Sequence, residues 1–182
     1  MKTFRHLFAG LVLALFAVVA QAQLSSQQIA TLKTACNAAP ACVPLANAAD
    51  DIALAEWFNT TDAAYIVWKP SVTKDEIQGS DAYDWTRVDN LSVGKARVWD
   101  SMFDNASRSI NPSKANIRAG IDASWVGAAA DLAVRAAVYA QCKRGATRAE
   151  KALASGAGTT NAPSTMTWVG PITYADASLI RS

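Results

Sequence analysis

Hydrophobic positions along the chain fall into three kinds of pattern. From Leu7 to Ala20 every residue is apolar or small, behind the basic Lys2, Arg5 and His6 and ahead of Ala20-Gln21-Ala22. A basic start, a short apolar middle and an Ala-x-Ala site predict a secretory signal peptide over residues 1–22, with cleavage before Gln23. As a helix this run would reach about 21 Å, short of the ~30 Å hydrocarbon core, so it reads as a leader rather than an anchor.

The second pattern is helical. Ser25 to Ala35 carries Ile29, Leu32 and Lys33 at helical spacing, and a turn through Pro40 and Pro44 follows. Leu45 to Phe58 repeats it, with Leu45, Ala49, Ile52, Ala53, Glu56 and Trp57 on one stripe. From near Asn90 the stripe is Ala96, Trp99, Phe103 and Ala106, with Leu91, Val98 and Met102 beside it. Asn111-Pro112 stops and restarts the chain. A helix predicted from Pro112 to about Arg144 carries Ile117, Ile121, Trp125, Ala129, Leu132, Ala136 and Tyr139, with Gly120 and Gly127 as kinks or close helix contacts. Thr73 with Glu76, and Thr147 with Glu150, have capping-box spacing, the second opening a helix to Ala154. A short helix begins at Tyr174.

The third pattern is β-like and brief: Tyr65 to Trp68, and Thr165 to Val169, which are candidates to pair with each other. Residues 155–164, rich in Gly, Ser and Thr, read as a flexible loop. The expected fold is therefore mainly α: a single orthogonal helical domain over residues 23–182, with about five to six helices and a small two-stranded β patch.

Composition narrows the chemistry. His6 is the one histidine, and it lies in the leader. A mature chain without histidine has no Ser-His-Asp or Cys-His nucleophile system and no zinc site built on imidazole. Cleavage also removes Lys2 and Arg5, taking the 17 cations to 15 against 15 carboxylates. A neutral protein is poorly suited to nucleic acid, whose binding rests on phosphate neutralisation. Residues 23–104 hold 6 cations and 11 carboxylates, and residues 105–182 hold 9 and 4. Such a split permits head-to-tail association, though solvated faces explain it equally well. Of the 38 alanines, seven lie between Ala128 and Ala140, where they favour helix and close backbone approach.

The candidate sites are few. In an oxidising compartment Cys36 and Cys42, separated by a turn at Pro40, are candidates for a disulfide, against the alternative of two packed thiols. Cys142 is left over and reads as a packed thiol. Arg135, Lys143, Arg144, Arg148 and Lys151 form a basic contact-patch candidate, which a helix C-terminus would also accommodate. Asp75 with Glu76, Asp81 with Asp84, and Asp100 with Asp104 are the closest carboxylate groupings, and solvated faces are their ordinary explanation. Two Ser-x-x-Lys matches, at Ser71 and Ser92, lack the partner motifs of penicillin-recognising enzymes. No catalytic residue, cofactor or metal is assigned. The six tryptophans read as core or interface anchors.

The stretch from Asp84 to Trp99 (DWTRVDNLSVGKARVW), with Asn111 to Asp122 (NPSKANIRAGID) and Ala130 to Ala137 (ADLAVRAA), resembles a family of small uncharacterised proteins of tailed phages and prophages. The resemblance spans roughly residues 24–179 and is strongest over 85–143. It implies a place in a virion-morphogenesis gene set, with no assigned activity and no catalytic residues to carry over. Two expectations follow. One is a non-enzymatic structural or accessory protein acting through protein partners or self-association. The other is a secreted or periplasmic helical binding module stabilised by a Cys36–Cys42 disulfide. The leader implies export and no stable membrane span after cleavage; the phage resemblance implies a cytoplasmic or virion-associated protein.

Overall fold

Side-chain caps decide where most of the helices begin. The computed structural model describes residues 23–182, so the leader expected over 1–22 lies outside the described residues. Ser25 and Gln28 form a capping box at the head of α1 (Ser26–Asn37), where the Gln28 N–H donates to Ser25 Oγ and the Ser25 N–H to Gln28 Oε1. α2 is Val43–Asn47, and α3 (Asp51–Asn59) starts from Asp50, whose carboxylate accepts the Ala53 N–H. Thr73 with Glu76 opens α4 (Lys74–Gln78), and Ser92 caps α5 (Val93–Ser101) after a 3-10 helix over Trp85–Asn90. α6 is Ala115–Ser124 and α7 is Ala129–Gln141. Thr147 with Glu150, and Thr173 with Asp176, open α8 (Arg148–Leu153) and α9 (Tyr174–Arg181). The strands among the described residues are β1 (Thr61–Trp68), β2 (Val72–Thr73), β3 (Ser109–Ile110) and β4 (Lys143–Thr147). The fold is mainly α with a small β component.

Two expected helices are each split. Leu45 to Phe58 breaks at Ala49, which adopts φ +55° so that Asp50 can cap α3 afresh. Pro112 to Arg144 breaks over Trp125–Ala128, where Gly127 at φ +121° takes a conformation closed to most L-residues. Gly120 makes a close contact instead: a Cβ there would lie 2.5 Å from Met102 Sδ, so a larger residue would have to displace that side chain.

The strand pairing also differs from expectation. β1 runs antiparallel to β4, with Trp68 opposite Lys143 and Thr61 opposite Thr147, and the register shifts between Asp62 and Ile66. The basic segment after α7 is thus a strand, not a helix end. The Thr165 segment meets β1 only at its edge. Ser164 forms a parallel bridge with Val67 and exchanges hydrogen bonds with Ile66 and Trp68, while Thr165 bridges Ser155. Residues 155–164 are tied to the strand further by the Ile66 N–H donating to Gly158 O (2.7 Å) and by Tyr65 Oη against Ser164 Oγ (2.8 Å). β2 and β3 form a second, two-residue antiparallel pair.

Two hydrophobic cores flank the β1–β4 ladder. In the first, Leu32 and Cys36 of α1, Leu54 and Phe58 of α3, Leu153 of α8 and Ile180 of α9 pack with Trp168 and Ile172. The second gathers Trp99, Phe103, Ile121, Trp125, Val134 and Val138 around Tyr83, with Val72 and Ile110 of the short strand pair. Edge-to-face contacts join Trp99 to Trp125 (5.5 Å between ring centroids) and to Phe103 (5.1 Å), an arrangement that adds to simple burial. In chain order the path runs from the first core through β1, around the second core, and back through β4.

Candidate functional site

The ladder brings four of the five basic-patch residues together and provides each with a partner. Arg144 meets Glu150 in a fork, with Nη2 to Oε1 at 2.6 Å and Nη1 to Oε2 at 2.7 Å. Glu150 also accepts the Thr147 N–H at 2.9 Å. Burial alone would push the Glu150 carboxyl up, yet the Arg144 guanidinium and the Thr147 bonds outweigh it and hold the group below the usual glutamate range. Lys151 Nζ donates to Asp62 Oδ2 at 2.8 Å and lies 5.5 Å from the Tyr65 ring centroid. That hydrogen bond, ahead of the other influences, lowers the Asp62 carboxyl. Arg148 lies over Trp57 (4.7 Å) and donates to the Trp57 carbonyl.

Lys143 is placed differently. Its ammonium lies 5.4 Å from the Trp68 centroid and 5.6 Å from that of Tyr139, and donates to Thr160 O at 2.8 Å. Desolvation pushes the amine below its ordinary value. Arg135, the fifth cation, sits apart on α7 with its Nη1 3.7 Å from Asp122 Oδ1. Arg135 and Lys143 share a concavity with Asp122, Leu132, Ala136 and Tyr139. Tyr139 Oη donates toward Asp122 Oδ1 (3.0 Å) and the Arg118 carbonyl (3.1 Å), and burial followed by the Asp122 bond raises its phenol. Four of the five cations therefore make intramolecular contacts around the ladder, while Arg135 makes its contact on α7 and shares a hollow with Lys143.

Cys36 and Cys42 lie at disulfide distance, their sulfurs 2.02 Å apart, between the end of α1 and the start of α2. Both are buried in the first core. Turn hydrogen bonds, Ala39 N–H to Cys36 O and Cys42 N–H to Ala39 O, fold the intervening residues back as the proline suggested. Cys142 is fully buried in the second core, where desolvation pushes its thiol up to about 12. A thiol held protonated there is not a nucleophile.

One carboxylate of each grouping serves local structure. Glu76 and Asp84 cap α4 and the 3-10 helix, and Asp100 accepts from Lys74 Nζ at 2.8 Å. Among the described residues no three His, Cys, Asp or Glu side chains converge, and no helix is long and apolar enough to cross a membrane.

One surface feature was not foreseen. Ile52 on α3 and Tyr174 on α9 are 67% and 71% exposed, and they line one concavity with Ala48, Ala49, Asp50 and Asp51. Ile52 had its place on the expected helical stripe with Leu45 and Trp57. The break at Ala49 lets Leu54, Ala55 and Phe58 face the core instead, which turns Ile52 outward. The signal was present in α3 itself, whose apolar residues occupy more than one face. Compared with protein-family models, with curated proteins and with solved structures, the chain has no match.

Proposed function

We propose that the mature protein acts by contact rather than by chemistry, as a structural or accessory protein of the phage or prophage kind its sequence resembles. The observation that carries this reading is the Ile52–Tyr174 concavity: two large apolar side chains left in water side by side, on a face where nothing in the fold requires them. The ladder cations favour it as well, since each already has an intramolecular partner. Replacing Ile52 and Tyr174 together with aspartate should leave thermal stability within about 0.5 kcal/mol, as for other surface changes. Any concentration-dependent association seen by sedimentation velocity should disappear in the double variant. A mature protein that stays monomeric at high concentration and is missing from induced phage particles would remove this reading.

The second reading is an exported helical binding module. Cys36 and Cys42 at bonding distance favour it, as such pairs persist in oxidising compartments. Thiol counting on natively expressed protein decides between the two locations. Two free thiols at Cys36 and Cys42 in cytoplasmic protein would dismiss export.

A further inference from the structure

We propose that the mature N-terminus is a lactam, formed when Gln23 cyclises after the leader is removed, and that this ring caps the cavity beneath it. The inference rests on the export reading, because it needs Gln23 to be the first residue. Leu24 is buried in the first core and Ser25 is fixed by the α1 capping box, so the chain is held from the residue after Gln23 onward. Gln23 itself is exposed and lines a cavity of about 290 Å³ with Trp168, Val169, Gly170, Pro171, Thr173 and Asp176.

The chemistry needs no co-reactant. The unprotonated α-amine of Gln23 attacks Cδ of its own side-chain amide. The N–Cδ bond forms, the Cδ–Nε2 bond breaks, and ammonia departs carrying the proton lost by the amine. A five-membered uncharged lactam replaces an ammonium and a primary amide, and the terminal charge is lost.

The cavity suits that product. Its one carboxylate, Asp176, is already engaged as the α9 cap, where Oδ2 accepts both the Thr173 N–H (3.0 Å) and the Thr173 hydroxyl (2.7 Å). Val169, Gly170 and Pro171 offer an apolar and backbone wall. Trp168, which is buried, completes the lining of the cavity.

Intact-mass analysis of protein exported by its own leader tests this directly. The expected species is the chain from Gln23 lighter by one ammonia, and a Gln23→Ser variant exported in the same way shows no such loss. A chain beginning at Gln23 with its ammonia retained overturns the cyclisation and leaves the export reading intact. A chain that keeps its leader overturns both, and a chain cleaved at any other bond overturns the cyclisation alone. For the seating, pyroglutamyl aminopeptidase should release the ring slowly from the folded protein and rapidly after denaturation. Equal rates would overturn the cap.

Discussion

At the scale of single residues, Glu150 shows how one side chain can close an element. Its two oxygens satisfy the Arg144 fork and the first turn of α8 while the residue is only 3% exposed. The Thr-x-x-Glu spacing announced the cap, but nothing local announced that Arg144 would come back across the turn on a strand. Glu150→Gln keeps the size and loses the charge-assisted bonds. It should destabilise the protein by about 2 kcal/mol, read as a shift in the urea midpoint. Ala49 is the opposite case, an L-residue in the left-handed region at φ +55°. Ala49→Gly should relieve that conformation and raise stability by about 0.5–1 kcal/mol, visible as a higher melting temperature; an unchanged or lower one would count against strain there.

At the scale of elements, what could be read from sequence depended on whether a helix had one apolar face or several. α6 has one, and its stripe of Ile117, Ile121 and Trp125 meets the second core as expected. α7 is rich in alanine all round, so its periodicity allowed a stripe through Leu132, Ala136 and Tyr139. The structure instead buries Val134, Ala137 and Val138 and leaves Leu132 partly exposed. Where small residues cover every side, the partners decide which face turns inward, and those partners lie far away in sequence. The β1–β4 pairing was hidden for the same reason, since Lys143 and Arg144 have no strand signature until Trp68 and Val67 are opposite them. The Pro40 turn, by contrast, is local, and the closeness of Cys36 and Cys42 was legible from it. Constraining so short a loop removes a modest amount of chain entropy. Cys36→Ser, or reduction of the bond, should lower stability by about 2 kcal/mol in denaturant titrations.

At the scale of the molecule, the acidic and basic halves of the sequence are joined to each other by ion pairs. Three of the seven ion pairs among the described residues, Arg87–Asp131, Lys151–Asp62 and Arg181–Asp51, join one half to the other. The route from first core to second and back intermixes the two segments. Asp62, Glu76, Asp131 and Glu150 are all held below the ordinary carboxylate range in the folded protein. The unfolded chain therefore takes up protons first as pH falls, and the stability these groups contribute is complete above the ordinary carboxylate values and lost below them. Melting temperature should stay level from neutral pH down to about 5 and then fall, more gently in Glu150→Gln. A steep decline between pH 7 and 5 would contradict this assignment. Histidine cannot supply such a decline in residues 23–182, which contain none.

The first core joins the two ends of the described chain: α1 and α3 pack against α8 and α9. Any chain that emerges amino end first, from a ribosome or through a membrane channel, must deliver α9 before this core can close. Leu32, Leu54 and Phe58 then remain without their final neighbours during delivery. Emergence of α9, more than a hundred residues after α3, sets the moment at which this core can close.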